Sequence, residues 1–379
     1  MNQKIYLDNN ATTGLDVEVL VVLKNELYPS NPSSAHFFGR RAKKELEKAR
    51  SNIASFLKVE PSSLIFTSGG TEAVNLALQS LLDLILQEED SPHIIASDID
   101  HPSVHNLLNN NLKKKKHLFT NIQVGLYGAI KPEQIEEAIT ENTRLIILSA
   151  VNSETGVKTD IDSIAKIAQK KGIYLFVDGV ALLGKELFTI ASGISAMSFS
   201  SHKIHGPNGV GLCYFKNINK LSPLFFGGPQ EFEKRPGTEN IAGILGFAKA
   251  VEILQKSLNE KTSQIFKLRT YFERSLINEI KDTSINGTGP RACNTTNICF
   301  KGVDGESLLI LLDQKGVLAS HGSACSSGSR SPSRVLLNMG IDPKDARSSI
   351  RFSLSRFTTQ EEIDTALKII KEIVIKLRS

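Results

Sequence analysis

The sequence predicts an α/β protein built around a mainly parallel β-sheet, and two features of one stretch support that prediction. From about residue 60 to residue 215, short apolar runs alternate with segments of helical periodicity, such as Glu72–Leu86 and Ile161–Lys171. Most of the apolar runs are continuously hydrophobic, which is typical of strands buried on both faces of a parallel sheet. The expected strands are Leu64–Thr67, His93–Ala96, Leu145–Leu148, Tyr174–Val177, Ala196–Phe199 and Val210–Phe215.

Helical patterns dominate on either side of this stretch. The expected helices there are Ser34–Leu57, Ile241–Leu258, Lys261–Ile280 and Thr359–Leu377. Ser33 or Ser34 is the expected N-cap of the first helix, and Thr358 or Thr359 that of the last. Because 379 residues are too many for one small core, we expect a large domain followed by a smaller C-terminal domain.

Composition and hydropathy favour an ordinary globular protein. Hydrophobic residues make up 40% of the chain and charged residues 22%. The sequence contains no run of about 18 apolar residues, so no transmembrane helix is predicted. The N-terminus, Met1–Asp8, lacks the apolar core of a signal peptide, so the expected location is the cytoplasm, without membrane association.

The net charge of +5 gives little reason to expect a nucleic-acid partner. One basic block, Lys113–Lys116, allows a nucleic-acid patch as an alternative. No aromatic side chains interleave with these lysines, as a single-strand binder would require. A solvated helix end or loop is the favoured interpretation, and we expect no direct contact with nucleic acid.

The four cysteines match no zinc-binding pattern, so no metal site is expected. Cys213 and Cys299 lie in apolar runs and are expected to be small buried hydrophobes. Cys325 differs, because its neighbours are all small or polar.

A candidate phosphate cradle follows the first predicted strand of the sheet. The chain contains no Gly-x-Gly-x-x-Gly after a strand and no Walker sequence. The segment Phe66–Glu72, Phe-Thr-Ser-Gly-Gly-Thr-Glu, instead links a strand to a helix start. Its glycines let the backbone approach an anion, and the free N–H groups of the helix start attract one. A plain structural turn is an equally good interpretation of this segment alone.

Two further residues suggest the chemistry of a cofactor. Asp178 ends the apolar run that starts at Tyr174, at the edge where α/β sheets bind ligands. Its carboxylate would suit a protonated pyridine nitrogen. The alternative is that Asp178 is a turn residue. Lys203 lies between a strand and a glycine-rich loop, where an amine shielded from solvent becomes a nucleophile. A lysine in isolation is more commonly a surface charge.

These segments together resemble the cysteine desulfurases of the NifS/IscS type, which are pyridoxal-phosphate (PLP) enzymes of fold type I in the class-V aminotransferase group. Ser200–Lys203, Ser-Ser-His-Lys, followed by Gly206–Gly211, Gly-Pro-Asn-Gly-Val-Gly, is similar to the family's lysine segment. Ser323–Gly328, Ser-Ala-Cys-Ser-Ser-Gly, is similar to its catalytic-cysteine loop. Further matching blocks, spread over nearly the whole chain, are Tyr6–Thr13, Asn31–Ser34 with His36 and Gly39, Arg235–Asn240 and Ser348–Ser353.

The resemblance implies a fold and a set of roles. The implied fold has a large domain (12–250) with a mainly parallel seven-stranded sheet between helices, and a small α+β domain (1–11 and 251–379) that carries the cysteine loop. Lys203 would hold PLP as a Schiff base and move the substrate Cα proton, His101 would stack on the ring, and Cys325 would take the sulfur as a thiolate. The other implied contacts are Gly70, Thr71, Ser200 and His202 with the phosphate, Asp178 with the pyridine nitrogen, Asn152 near the ring oxygen, and Asn31 and Arg351 with the substrate.

The implied reaction converts L-cysteine to L-alanine and leaves a persulfide on Cys325. The implied assembly is a homodimer, in which Thr238 of each subunit completes the phosphate site of the other. An iron–sulfur scaffold or a tRNA-thiolation relay would accept the sulfur. The chain ends at Ser379, soon after its last predicted helix, and so the C-terminal extension that some relatives use for scaffold docking is not expected.

One position departs from the family pattern. The family usually places a glutamine three residues after the aspartate, where its amide reaches the ring oxygen, but this chain has Ala181. One lost hydrogen bond is worth about 0.5–1.5 kcal/mol, so we expect a retuned site and not an inactive one. A selenocysteine lyase or another class-V PLP enzyme is the nearest alternative, and a non-catalytic scaffold is the more distant one.

Overall fold

The computed structural model describes residues 4–26, 29–114, 118–322 and 332–379. The strands among them are β1 (Ile5–Tyr6), β2 (Leu64–Thr67), β3 (His93–Ser97), β4 (Leu118–Ile122), β5 (Thr143–Ser149), β6 (Tyr174–Asp178), β7 (Ala196–Ser200), β8 (Gly211–Phe215), β9 (Thr283–Ile285), β10 (Thr295–Phe300), β11 (Val317–Leu318) and β12 (Ser349–Ser353). The helices are α1 (Val17–Asn25), α2 (Phe37–Leu57), α3 (Gly70–Glu88), α4 (Pro102–Lys114), α5 (Pro132–Ala138), α6 (Ile161–Lys171), α7 (Ile241–Glu279), α8 (Gly305–Gln314), α9 (Arg334–Asn338), α10 (Pro343–Arg347) and α11 (Gln360–Arg378).

A seven-stranded sheet forms the centre of the larger part of the molecule. Its strand order is β2-β8-β7-β6-β5-β3-β4. The pairs from β7 to β4 are parallel, and β8 runs antiparallel to both of its neighbours. The predicted α/β class with a mainly parallel sheet is therefore confirmed.

Helices cover both faces of this sheet, which explains the continuous apolar runs of its strands. Successive residues of β6 alternate between two clusters: Leu175 and Val177 pack with α2, α6 and α7, whereas Phe176 packs with α3 and α4. A strand buried on both faces needs apolar side chains at every position. Cys213 in β8 is fully buried, as predicted, and Cys299 in β10 is 3% exposed.

The C-terminal part has its own smaller sheet and its own apolar cluster. Strands β9, β10 and β12 form an antiparallel sheet in the order β12-β10-β9, and β1 pairs in parallel with β11. Ile5 and Leu7 from the N-terminus join Phe272, Phe352 and Ile370 in this cluster. This agrees with the expected smaller α+β unit, while the domain limits themselves stay a prediction.

Two expectations about helices were wrong. Helix α2 begins at Phe37, with His36 and not Ser33 or Ser34 as its N-cap: His36 Nδ1 accepts a hydrogen bond from Gly39 N–H at 3.3 Å. The two long helices expected after residue 240 are one continuous helix, the 39-residue α7. No glycine or proline interrupts residues 258–261, so the exposed polar residues there do not end the helix.

Other elements agree with the sequence or add to it. Thr359 caps α11, and its capping box with Glu362 confirms one of the two predicted caps. Strand β4 was not predicted, because most of its residues are exposed or half-buried at the edge of the sheet. No helix in the described ranges is long and apolar enough to span a membrane.

Candidate active site

A cavity of about 980 Å³ opens at the carboxyl edge of the central sheet. Its lining comes from the segments that follow β2, β3, β5, β6 and β7, and from residues next to β11 and in β12 of the smaller sheet. This edge is where open α/β sheets bind ligands. The cavity therefore lies where both sheets can contribute side chains.

Most side chains that the sequence singled out line this cavity. They are Gly70, Thr71, His101, Asn152, Asp178, Ser200, His202, Lys203 and Arg351. Asn31 and Thr238 are exposed and lie outside its described lining, and Asn31 Oδ1 accepts a hydrogen bond from Ser33 N–H at 2.9 Å. Cys325 lies outside the described residues.

The predicted phosphate cradle has an anion-binding geometry. Strand β2 ends at Thr67 and α3 begins at Gly70, so the first backbone N–H groups of α3 lack helical partners. A Cβ at Gly70 would lie 2.8 Å from Val180 Cγ2, so any larger residue there would require the Val180 side chain to shift. Ser200 Oγ is buried without a hydrogen-bond partner among the described residues. A buried hydroxyl without a hydrogen-bond partner costs free energy, and donating to a bound anion would remove that cost.

Asp178 makes the contacts of a turn residue and also lines the cavity. One carboxylate oxygen accepts hydrogen bonds from Val180 N–H at 3.0 Å and from the Ser198 hydroxyl at 3.1 Å. The first contact is that of a turn residue. The same carboxylate lines the cavity at the end of β6, where it can meet a ligand cation.

Lys203 is held in the cavity by the N-terminal segment. It lies in a short 3₁₀ helix, Ser201–Lys203, directly after β7. Its ammonium donates to the carbonyl oxygen of Asn10 and, at 3.0 Å, to that of Ala11. Next to it, burial and then the charge of Lys203 lower the pKa of His202 to about 4. The His202 ring is therefore neutral at pH 7.

Asn152 has a fixed side-chain orientation. Its Oδ1 accepts hydrogen bonds at 3.0 Å from the N–H groups of Glu154 and Thr155, and at 3.2 Å from the Thr155 hydroxyl. Its amide nitrogen donates to the carbonyl of Ile99 at 3.3 Å. An amide nitrogen carries two N–H groups, so one remains to bind a ligand oxygen.

His101 follows a buried carboxyl group. Asp100 Oδ1 accepts from the Ser149 hydroxyl at 2.8 Å, and Oδ2 accepts from Ser97 N–H at 3.2 Å. Burial raises the pKa of Asp100 to about 7, and the charge of Asp178 adds to the rise. His101 itself lines the cavity, with Nδ1 at 2.8 Å from the Ser103 hydroxyl.

Arg351 reaches the cavity from β12 of the smaller sheet. The side chain is 1% exposed and forms an ion pair with Asp8 at 2.7 Å. It also donates to the carbonyl of Ser153 at 3.2 Å. A guanidinium has five N–H donors, so a carboxylate could still bind if these contacts shifted.

Comparison with known proteins gives the family. The family model described as aminotransferase class-V matches residues 5–366. A cysteine desulfurase from Trichormus azollae is 39% identical, and the match covers 99% of this chain and 94% of the relative. The cysteine desulfurase IscS of Dictyoglomus turgidum is 37% identical, and the match covers 100% of this chain and 96% of the relative. The solved structure of a NifS-like protein from Rickettsia africae superposes with a TM-score of 0.87 at 33% identity, covering 98% of this chain and 99% of that one.

This chain belongs to the class-V aminotransferases. Among them it groups with the cysteine desulfurases, as the sequence motifs predicted.

Sequence reasoning missed several residues of this class-V site. The guanidinium of Arg334, the first residue of α9, donates to the carbonyls of Asp98 and Asp100 and so fixes the segment before His101. Glu154 is buried and accepts a hydrogen bond from the Ser333 hydroxyl. The available signal in the sequence was an acidic residue close to a motif residue, Asp100 before His101 and Glu154 two residues after Asn152. For Arg334 the sequence offered none, because its contacts are long-range.

Proposed function

We propose that this class-V enzyme is a PLP-dependent cysteine desulfurase that converts L-cysteine to L-alanine. One observation carries the proposal: Lys203, Asp178 and Ser200 meet in a single cavity, to which the smaller sheet contributes Arg351. An amine, a carboxylate and an anion cradle are the groups that a pyridoxal cofactor requires. A buried arginine next to them suits a substrate carboxylate.

The residues present fit this cofactor. The unpartnered Ser200 hydroxyl and the close approach that Gly70 permits suit the phosphate. In the proposed arrangement, Gly70, Thr71, Ser200 and His202 hold the phosphate, Asp178 the pyridine nitrogen and Asn152 the ring oxygen, with His101 against the ring and Lys203 as the attachment point. When bound, the cofactor would supply an electron sink for the charge that develops at the substrate α-carbon.

Lys203 and Arg351 would divide the work on the substrate. Lys203 removes the α-carbon proton as a neutral amine and returns it as an ammonium, which the carbonyls of Asn10 and Ala11 keep in the cavity. Arg351 binds the substrate carboxylate, with Asn31 as a proposed second contact, and so orients the α-carbon toward Lys203.

Cys325 would receive the sulfur. Its thiolate attacks the substrate sulfur, so that an S–S bond forms as the C–S bond breaks. The electron pair of the broken bond stays on the substrate β-carbon, which takes up a proton and completes L-alanine. The enzyme sulfur is oxidised as that carbon is reduced, and the transfer therefore needs no external oxidant.

The proposed assembly and setting follow from the family. We propose a cytoplasmic homodimer in which Thr238 completes the partner subunit's phosphate site, with the domain limits predicted from the sequence. The exposure of Thr238 is compatible with a contact in trans. The proposed sulfur acceptor is an iron–sulfur scaffold or a tRNA-thiolation relay.

Alanine release from cysteine by purified enzyme tests the proposal. The wild type should be yellow and release alanine, with sulfide when a thiol reductant is present. Lys203→Ala should lose both the covalently bound chromophore and activity, by at least about 10²-fold. Cys325→Ala should keep the chromophore but lose sulfur transfer. A colourless protein that takes up no PLP would contradict the proposal, and faster turnover of selenocysteine than of cysteine would favour a selenocysteine lyase.

A further inference from the structure

The start of α3 carries an ion pair that the proposed mechanism does not use. Glu72, in the first turn of α3, accepts a hydrogen bond from Ser68 N–H at 2.6 Å. Arg235 donates to the same carboxylate through Nε at 2.8 Å and through Nη2 at 3.3 Å. The Arg235 and Glu72 side chains are 26% and 12% exposed, so the pair is partly shielded from solvent.

This carboxylate lies close to the proposed phosphate. Glu72 follows Gly70 and Thr71, which line the cavity. Burial works against the charged form of Glu72, but hydrogen bonds from Arg235 and Ser68 hold the pKa of Glu72 below its usual value. Glu72 is therefore ionised at neutral pH. Two anions at one helix start repel each other unless a cation neutralises one of them.

The segment that presents Arg235 is strained. Glu231, Phe232 and Glu233 have φ values of 46°, 58° and 64°, in the left-handed region. For residues other than glycine this conformation is unfavourable, because Cβ approaches the following carbonyl oxygen. It persists only where the surroundings impose it.

A buried ion pair imposes that conformation. Arg50 donates to both carboxylate oxygens of Glu231, at 2.6 and 2.9 Å, and the two side chains are 2% and 1% exposed. Phe66 N–H donates to Glu231 at 2.7 Å. The Arg50 guanidinium also lies over the rings of Phe66 and Phe232, at 4.9 and 5.0 Å. The position of Arg235 is thus fixed before any ligand binds.

We propose that Arg235 is a positioning residue for the cofactor phosphate, acting through Glu72. By neutralising Glu72, it leaves the helix start and the Ser200 hydroxyl free to attract a phosphate dianion. This inference rests on the proposed function, because it takes the phosphate of PLP as the ligand of the cradle. It assigns Arg235 a role within its own subunit, independent of Thr238.

Binding of PLP and of pyridoxal, which lacks the phosphate, tests the proposal in the full-length protein after cofactor removal. Arg235→Met should weaken PLP binding about tenfold, or about 1.4 kcal/mol, and change pyridoxal binding less than twofold. The double variant Arg235→Met/Glu72→Gln should restore PLP affinity to within about threefold of wild type, because the uncompensated charge is gone.

The other end of α3 offers a matched control. Arg144 pairs there with Glu89 at 2.9 Å, with side chains 30% and 27% exposed. Arg144→Met should leave the ratio of PLP to pyridoxal affinity unchanged. Equal losses for both ligands in Arg235→Met, no loss for either, or no rescue by Glu72→Gln would each overturn the proposal. Failure of the wild type itself to bind PLP would instead overturn the proposed function.

Discussion

The cofactor wall and the substrate wall of the cavity differ in how their polar groups are satisfied. We define the cofactor wall as Gly70, Asp178, Ser200 and Lys203, and the substrate wall as Asp8, Ser153 and Arg351. The cofactor wall includes the buried, unpartnered Ser200 hydroxyl. On the substrate wall, Nη1 and Nη2 of Arg351 already contact the Ser153 carbonyl and Asp8, and its Nε is buried without a partner among the described residues. The first wall can therefore accept a ligand group directly at Ser200, whereas Lys203 must first leave the carbonyls of Asn10 and Ala11. The second must exchange partners, so substrate binding there works against an existing ion pair.

Arg351→Lys should produce the largest effect that separates the walls. Lysine keeps the charge but cannot make the two-pronged contact, so one hydrogen bond to the substrate carboxylate is lost. A hydrogen bond to a charged group is worth about 1.5–3 kcal/mol. We expect KM for cysteine to rise about 10- to 150-fold, with cofactor affinity unchanged. Steady-state kinetics and cofactor titration measure both.

Arg356→Lys is the matched control for this change. Arg356 is also largely buried and paired with an aspartate, Asp16, but lies outside the described cavity lining. It should reduce stability without raising KM. If Arg351→Lys released the cofactor and left KM unchanged, the division into two walls would be wrong.

Asp100, next to the cofactor wall, should make stability depend on pH. Burial raises its pKa to about 7 in the folded protein, well above the ordinary value of 3.8. Folding therefore favours the protonated form, and this contribution is present at low pH and lost as pH rises from about 4 through 7. Between pH 5 and pH 8 the loss is on the order of 2 kcal/mol.

Asp100→Asn removes this titration. The midpoint of thermal unfolding of variant and wild type is measured at pH 5 and at pH 8. The midpoint of the variant minus that of the wild type should be more positive at pH 8 than at pH 5. Asp162→Asn, at an exposed position on α6, serves as control and should show no such pH-dependent gain. An equal effect of Asp100→Asn at both pH values would show that Asp100 does not titrate in this range.

The sequence predicted the central sheet well because each of its strands, apart from β4, carries its own signal. Continuous apolar runs located β2, β3 and β5–β8, since a strand buried on both faces leaves that pattern locally. The exposed edge strand β4 leaves no such pattern. The N-cap of α2 depends on the contact between His36 and Gly39, which residue type alone does not specify.

The site divides in the same way between local and long-range information. Motifs identified Lys203, Asp178 and Gly70, because each lies at or shortly after the end of a strand. The ion pair of Arg351 with Asp8 joins residues at opposite ends of the chain, and only the fold brings them together. The same holds for Arg235 with Glu72.

Ala181, which lines the cavity close to Asp178, should allow the smallest but most local change to the cofactor wall. Only the spare N–H of Asn152 is assigned to the ring oxygen in the proposed arrangement, and a glutamine at 181 would add a second donor. A donor stabilises the form of the bound cofactor that has more negative charge on that oxygen, which is the deprotonated form. Ala181→Gln should therefore lower the pH midpoint of the cofactor absorbance by about 0.4–1 unit, equivalent to about 0.5–1.5 kcal/mol. Ala181→Met is the control, because methionine fills similar space without a hydrogen-bond donor. An unchanged pH midpoint in Ala181→Gln, or the same shift in both variants, would show that a donor at position 181 does not set the pH midpoint of the cofactor absorbance.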